Sequence, residues 1–364
     1  MKNEEVFLDI IDYGSNFEGI AKVNGKVVFI NDVLKDEKIY GKIIKENKDY
    51  MIAKKINIIE PSKYRVEPFC EVYDTCGGCS AQHILYSEQL KIKKKNIENL
   101  LKKYNVEYGK LEDVIGQGMP YYYRNKVQYP VSVDKDGKNI IGFYSKHSNN
   151  IVKNSCCYIE DRVIDMVAKA VFNILDSNGF KGYNKESFFG DIRHILVRRG
   201  YHTSEIMVVI VVNNEEIFNV DSFKDIISKI LSLNSNIKAI FLNLNTSKNN
   251  EIIGDKILKL YGEDYIKDII GKYKYYISPK SFFQTNTIQA EVLYEILKEK
   301  LNLNKNEIVF DLYSGVGSIG IFLSDEVKEV YGIEIEEEAV KMANLNLKIN
   351  EVTNAYYVSR RCKG

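Results

Sequence analysis

Two stretches carry residues whose types and spacing could do chemistry. The first, CEVYDTCGGCSAQH, sets Cys70, Cys76 and Cys79 in a C-x5-C-x2-C pattern, with Gly77 and Gly78 free to turn the backbone tightly around a centre. Three thiolates this close have metal-ligand spacing, and a tetrahedral zinc site or an iron-sulfur cubane asks for a fourth. Cys156 or Cys157 could supply it. His83 could also ligate, although a cap or a structural hydrogen bond is the simpler role. A disulfide reading is weaker, because MKNEEVFLDI lacks a signal-peptide pattern and the thiols of a cytoplasmic protein stay reduced. The second stretch, IVFDLYSGVGSIGIFL, places Asp311 in an apolar run before Gly315, Gly317 and Gly320, and a following run, EVYGIEI, reaches Glu334. Strand, glycine turn, helix, strand and acid together grip an adenosine cofactor: the glycines admit the ligand to the backbone and the carboxylate accepts from ribose hydroxyls. The pattern leaves a dinucleotide and S-adenosylmethionine both open.

The elements that must position these residues follow from periodicity and turn residues. The chain has 364 residues and a net charge of +1, enough length for two or three domains and no global attraction to nucleic acid. The apolar run Ile206 to Val212 has strand length, well short of a membrane span, so a soluble, cytoplasmic monomer is expected. Residues 1–58 alternate β-rich runs with turns, including Asn24-Gly25, and predict a small closed five-stranded barrel. Pro61 and Pro68 lead into the cysteine stretch. A helix follows, extending within 86–115, with Leu90, Ile97, Leu100, Leu101 and Tyr104 on its apolar face and Lys91, Lys94, Lys95 and Lys102 mostly elsewhere.

The central sequence reads as hairpins and helices. Val127, Tyr129, Val131 and Val133 form one face of a strand that turns at Asp136-Gly137, and Arg124 and Lys126 among the tyrosines suit RNA as well as an ordinary sheet. A helix is predicted over Asp161 to Ser177, then a hairpin of DIRHILVRRG with SEIMVVIVV, where Arg193 and His194 read as structural. A helix over 222–233 and the strand AIFLNLN complete this region. Finally SPKSFFQTN joins an amphipathic helix bearing Ala290, Leu293, Ile296, Leu297 and Leu301; beyond Glu334 a helix from Glu336 to Asn350 and the strand AYYV lead to SRRCKG.

GIAKVNGKVVFI, CEVYDTCGGCSAQH, YYRNKVQYPV, RHILVR, SPKSFFQTN and DLYSGVGSIG together resemble the iron-sulfur, TRAM-domain RNA (uracil-5-)-methyltransferases, in particular those making 5-methyluridine in 23S ribosomal RNA. The resemblance spans nearly the whole chain. It implies that Cys70, Cys76, Cys79 and Cys157 hold a 4Fe-4S cluster. Cys157 is preferred over Cys156 because the family's single cysteine follows an I-V-x-x-x-x pattern, as Ile151 and Val152 stand to it. Zinc remains the alternative metal, since four thiolates suit both. It also implies that Gln284, Tyr313 and Glu334 contact S-adenosylmethionine. In such enzymes a cysteine thiolate attacks carbon 6 of a flipped uracil, making carbon 5 nucleophilic enough to take the methyl group, and a base then removes the carbon 5 proton.

The fold class expected is therefore α/β with an all-β N-terminal barrel. Residues 1–58 form an OB-like TRAM barrel that binds RNA, and residues 59–270 an α+β central domain with the cluster, whose helix at 86–115 packs on the methyltransferase domain. Residues 271–364 form an incomplete Rossmann-like methyltransferase domain. The family's nucleophile and general base lie beyond the third strand, so no catalytic residue is assigned, Cys362 in SRRCKG included, and the chain is expected to be inactive alone, with its last ninety residues poorly folded. The partner expected is RNA, most readily 23S ribosomal RNA, with a transfer RNA uridine methyltransferase and an RNA-binding protein without catalysis as alternatives. A nicotinamide oxidoreductase would leave the cysteines and SFFQTN unexplained.

Overall fold

The computed structural model describes residues 1–360, which fall into two compact units: residues 1–118 with 144–148, and residues 119–143 with 149 onward. Cys362 lies outside the described residues.

In the first unit, the alternating β-rich runs form one six-stranded sheet. Its order is Glu5–Asp9, Lys38–Glu46, Tyr50–Glu60, Lys26–Ile30, Gly19–Val23 and Asp12–Tyr13. Asn24 and Gly25 both take positive φ, 49° and 80°, the conformation a tight two-residue hairpin needs. Leu8, Ala21, Val28, Ile30, Ile39, Ile43 and Met51 fill the interior. The sheet does not close into the five-stranded barrel that the turn spacing predicts. Its ladder breaks at Ile10, whose N–H donates to the Glu37 carbonyl and whose carbonyl accepts from the Asp36 N–H, so the N-terminal run is split into two strands at opposite sheet edges.

The helix predicted after the cysteine stretch runs Tyr86–Lys103, but its buried residue is Ile92, packed with Leu34 and Ile84. Ile97, Leu100 and Tyr104, expected on the inward face, are exposed.

The second unit is built on a six-stranded sheet in the order Lys256–Gly262, Ile237–Leu244, Ile206–Val212, Ile192–Arg199, Lys126–Val133 and Asn139–Ile141. The predicted hairpin is present, with Ile195 opposite Ile210 and Val197 opposite Val208. Helices Arg162–Ser177 and Lys224–Leu231 supply the apolar residues that cover one face, and the hairpin Ile266–Ile270 with Tyr273–Ile277 contributes to the core on the other. That double cover explains why IMVVIVV is apolar throughout: every residue of the strand is buried. Asp161 starts the first helix by accepting from the Val163 and Ile164 N–H groups, an N-cap of the kind worth about 1 kcal/mol.

The chain then forms a parallel three-stranded sheet, Ile308–Leu312, Glu329–Glu334 and Ala355–Ser359, in that order. Helices Thr287–Leu301, Ser318–Leu323 and Glu337–Ile349 contribute to its core, whereas Phe310, Tyr331 and Tyr356 stack in a row of exposed rings. No helix among the described residues is long and apolar enough to cross a membrane.

Candidate functional site

The glycine turn predicted after Ile308–Leu312 is held by backbone geometry and buried polar side chains. Gly315 and Gly317 have φ of 56° and 78°, a region that L side chains enter only at a cost. A Cβ on Gly315 would meet nothing within 4 Å, so conformation, not crowding, is what selects glycine there. Gly320 and Gly332 answer a packing demand. Their Cβ atoms would come 2.4 Å from the Tyr357 hydroxyl and 2.0 Å from its ring. Tyr357 uses that close approach to donate its hydroxyl hydrogen to the Gly317 carbonyl at 3.0 Å. Asn346, fully buried, accepts from the Tyr276 N–H and donates to the Val316 carbonyl.

Two carboxylates complete the turn. Asp311 accepts from the Gly320 N–H at 3.1 Å; burial raises its carboxyl above the usual range, the Gly320 N–H opposes this and Glu334 adds to it. Glu334 Oε2 accepts from the Gly315 N–H at 2.9 Å, and its Oε1 accepts from the Ile335 and Glu336 N–H groups at 2.7 and 3.0 Å. A carboxylate offers about four acceptor positions, so the acid at the end of the second strand is fixed by the backbone while keeping capacity for a ligand hydroxyl.

Gly315 and Glu334 line a groove of about 720 Å³ together with two other segments, the loop from Asn245 to Asp255 and the residues Lys280 and Phe282 of SPKSFFQTN. Phe282 presents an exposed ring there, 68% accessible. The three predicted donor contacts are not equally placed. Glu334 is on the groove. Gln284 is half-buried, with its carbonyl accepting from Asn125 Nδ2 and its side chain bonded to Tyr294. Tyr313, at φ 63°, bonds the Ile333 carbonyl through its N–H and leaves its ring 78% exposed, outside the groove lining. Tyr357 and Asn346 support the turn through contacts 40 and 30 residues away, which nothing near them in the sequence announces. Asp311, by contrast, is marked in the sequence by its place in the apolar strand before the glycines.

Elsewhere in this unit, Lys126 stands opposite Arg198 in the sheet register, and its ammonium is pushed down to about 7 by burial, with the Arg198 charge adding. His194 is buried and held down to about 3, by burial first and then by the Arg193 and Lys185 charges.

The cysteine stretch occupies turns of the first unit. Gly77 N–H donates to the Tyr144 carbonyl at 2.9 Å, and a Cβ on Gly77 would sit 2.9 Å from that same oxygen. Gly78 N–H points at Cys76 Sγ, 3.4 Å away, and Cys70 N–H donates to Gln82. Burial pushes the Cys76 thiol up; Cys70 adds to this, while the Gly78 N–H and Lys146 oppose it. His83 takes the structural role: its Nδ1 shares a 2.6 Å hydrogen bond with the Tyr73 hydroxyl, and burial lowers it to about 4. Cys157 belongs to the second unit, where it is buried and its N–H donates to Asp165. Among the described residues, no three His, Cys, Asp or Glu side chains converge as a group that could hold a metal ion, so the arrangement does not by itself form the four-cysteine site that the resemblance implies.

A profile of the histone methylation protein DOT1 family matches residues 273–363, the segment containing the glycine turn. Relatives named RNA methyltransferase, both described as uncharacterized, occur in Clostridium acetobutylicum, 41% identical over 98% of this chain and 77% of the relative, and in Clostridium tetani, 38% identical with the same coverage. The fold is similar to that of the Pyrococcus abyssi tRNA (uracil-54, C5)-methyltransferase solved with S-adenosyl-L-homocysteine. That match has a TM-score of 0.76 and 24% identity, covering 97% of this chain and 79% of the other. With relatives this similar over nearly its whole length, the chain belongs to the RNA methyltransferase family and is a methyltransferase.

Proposed function

We propose that the protein methylates carbon 5 of a uridine in RNA, taking the methyl group from S-adenosylmethionine, and that 23S ribosomal RNA is its substrate. The observation that carries this reading is the Gly315 turn with Glu334 pinned to it on an open groove. S-adenosylmethionine would supply an electrophilic methyl group on a sulfonium. On this chain, Glu334 is assigned to the ribose hydroxyls, the Gly315 backbone to close approach of the nucleoside, and Gln284 and Tyr313 to further contacts with the same donor. No side chain of the chain is assigned as nucleophile or base.

Residues 1–58 are assigned to RNA as a TRAM-type module. Support comes from their outer sheet face, where exposed Phe7 and Tyr40 pack edge to face at 5.8 Å and Lys42 stands opposite Lys54. Aromatic rings beside lysines are a surface on which unpaired bases stack while phosphates are neutralised. Cys70, Cys76, Cys79 and Cys157 are assigned to a 4Fe-4S cluster, with zinc as the alternative; the N–H···S contact at Cys76 suits a thiolate ligand of either. A broad brown absorption in anaerobically purified protein, bleached by reduction, supports the cluster, and a colourless protein holding one zinc overturns it.

Transfer RNA is the second substrate reading, favoured by the named substrate of the Pyrococcus abyssi enzyme with the similar fold. Tighter binding of 23S ribosomal RNA fragments than of transfer RNA transcripts is the result expected; the reverse moves the assignment to transfer RNA. Salt-dependent RNA binding with no binding of S-adenosylhomocysteine leaves an RNA-binding protein without catalysis.

A further inference from the structure

The strand Ile192–Arg199 carries two arginines that are each only 3% exposed, and the motif RHILVR gave no function for either. Taking a guanidinium out of water is costly unless its hydrogen bonds are replaced. Arg193 Nη1 donates to the Asn245 carbonyl at 2.8 Å, to Asn245 Oδ1 at 3.2 Å and to the Ser247 carbonyl at 2.6 Å. Arg198 Nη1 donates to the Ser281 carbonyl at 2.9 Å, with the Ser278 carbonyl at 3.5 Å. Both loops so anchored line the groove that also contains Gly315 and Glu334.

The anchoring continues inside each loop. Asn245 Nδ2 donates to the Glu251 and Ile252 carbonyls, and Asn243, fully buried, exchanges side-chain hydrogen bonds with both the N–H and the carbonyl of Gly254. In the second loop, Ser278 and Ser281 bond through their hydroxyls at 2.9 Å. Charged donors aimed at main-chain oxygens fix loop shape more firmly than apolar packing would, and a wall fixed before the ligand arrives loses less entropy on binding.

We propose that Arg193 and Arg198 are positioning residues for methyl-donor binding, one strand holding two loops of the groove in donor-receiving shape. The proposal rests on the donor occupying the Gly315–Glu334 groove. Neither arginine needs to touch the donor; each acts through its loop.

The test is calorimetric titration of the full chain with S-adenosylhomocysteine, for the wild type and for Arg193→Met, Arg198→Met, the two corresponding lysine variants and Gly254→Ala. Each methionine variant is expected to weaken binding about tenfold, and each lysine variant to recover most of that loss, since lysine keeps charged donors. A Cβ at Gly254 would meet the Leu244 carbonyl oxygen at 2.1 Å. Gly254→Ala therefore shifts the first loop while leaving both arginines in place, and it is expected to weaken binding, measured well below its lowered melting temperature, an outcome available even where a methionine variant does not fold. Wild-type affinity in Gly254→Ala and in the folded arginine variants, whatever their melting temperatures, overturns the proposal while leaving the donor site intact. A wild-type chain that binds no S-adenosylhomocysteine overturns the donor-site reading, and the proposal with it.

Discussion

The turn at Gly315 and the turn at Cys76 both depend on glycine, yet they are completed in different ways. At Gly315 the surrounding chain supplies everything the shape needs: positive φ angles, a tyrosine hydroxyl on the Gly317 carbonyl and a carboxylate that collects three backbone N–H groups. At Cys76 the nearby polar groups hold the turn, and among the described residues the thiols form no group of three that could hold a metal ion. A turn that gathers three backbone N–H groups on one carboxylate is fixed in shape by the chain itself.

The largest expected effect tests the polar frame of the first unit. Glu37 is fully buried and receives two short bonds from Arg65, at 2.6 and 2.7 Å. Arg65→Met leaves that carboxylate without its counter-charge, held only by the Leu34 and Ser62 N–H groups, and should cost about 3–5 kcal/mol in denaturant unfolding at neutral pH. The matching change in the second unit is Gly332→Ala, whose Cβ would overlap the Tyr357 ring. A loss of about 3 kcal/mol is expected from overpacking, accompanied by loss of S-adenosylhomocysteine binding because the turn leans on Tyr357. Equal donor binding by the variant would separate the turn from its packing.

A smaller effect follows from His194. Its folded value of about 3 lies below the ordinary 6.5, so above pH 6.5 the imidazole is neutral in both states and contributes no pH dependence. As pH falls below 6.5 the unfolded chain takes up the proton first, and stability is lost progressively toward pH 3, by about 2 kcal/mol by pH 5. His194→Leu should flatten the slope of unfolding free energy against pH in that range by one proton; an unchanged slope would show that the histidine titrates normally. The smallest effect on stability is expected from Cys76→Ala, measured alongside the visible spectrum. If the cluster assignment holds, the variant loses the brown absorption while donor affinity stays at the wild-type value, which would make the two turns independent in function.

Local rules made much of this legible from sequence. Asn24-Gly25, the fully apolar IMVVIVV and the glycine turn after Ile308–Leu312, with Glu334 at the end of the next strand, each follow from a turn or a period, and each is found where it was expected. What the sequence hid depends on contacts between distant residues. Tyr357 reaches back 40 residues to Gly317, and Arg193 reaches forward 52 to Asn245; nothing near either residue announces its partner. The helix Tyr86–Lys103 misled for the same reason, since one buried isoleucine, Ile92, is decided by what packs on it and not by helical spacing. The five-stranded count missed the break at Ile10, where the Asp36 N–H and the Glu37 carbonyl take the hydrogen bonds of a continuous ladder and the N-terminal run becomes two strands.

The central claim is that the Gly315 turn with Glu334 receives the methyl donor. Titration of the full chain with S-adenosylhomocysteine, repeated with Glu334→Gln, tests it most directly. The account predicts one site per chain, weakened about tenfold by the loss of the ribose-facing carboxylate, with no change in melting temperature beyond a few degrees. Undiminished affinity in Glu334→Gln, or no binding by the wild type, would contradict it.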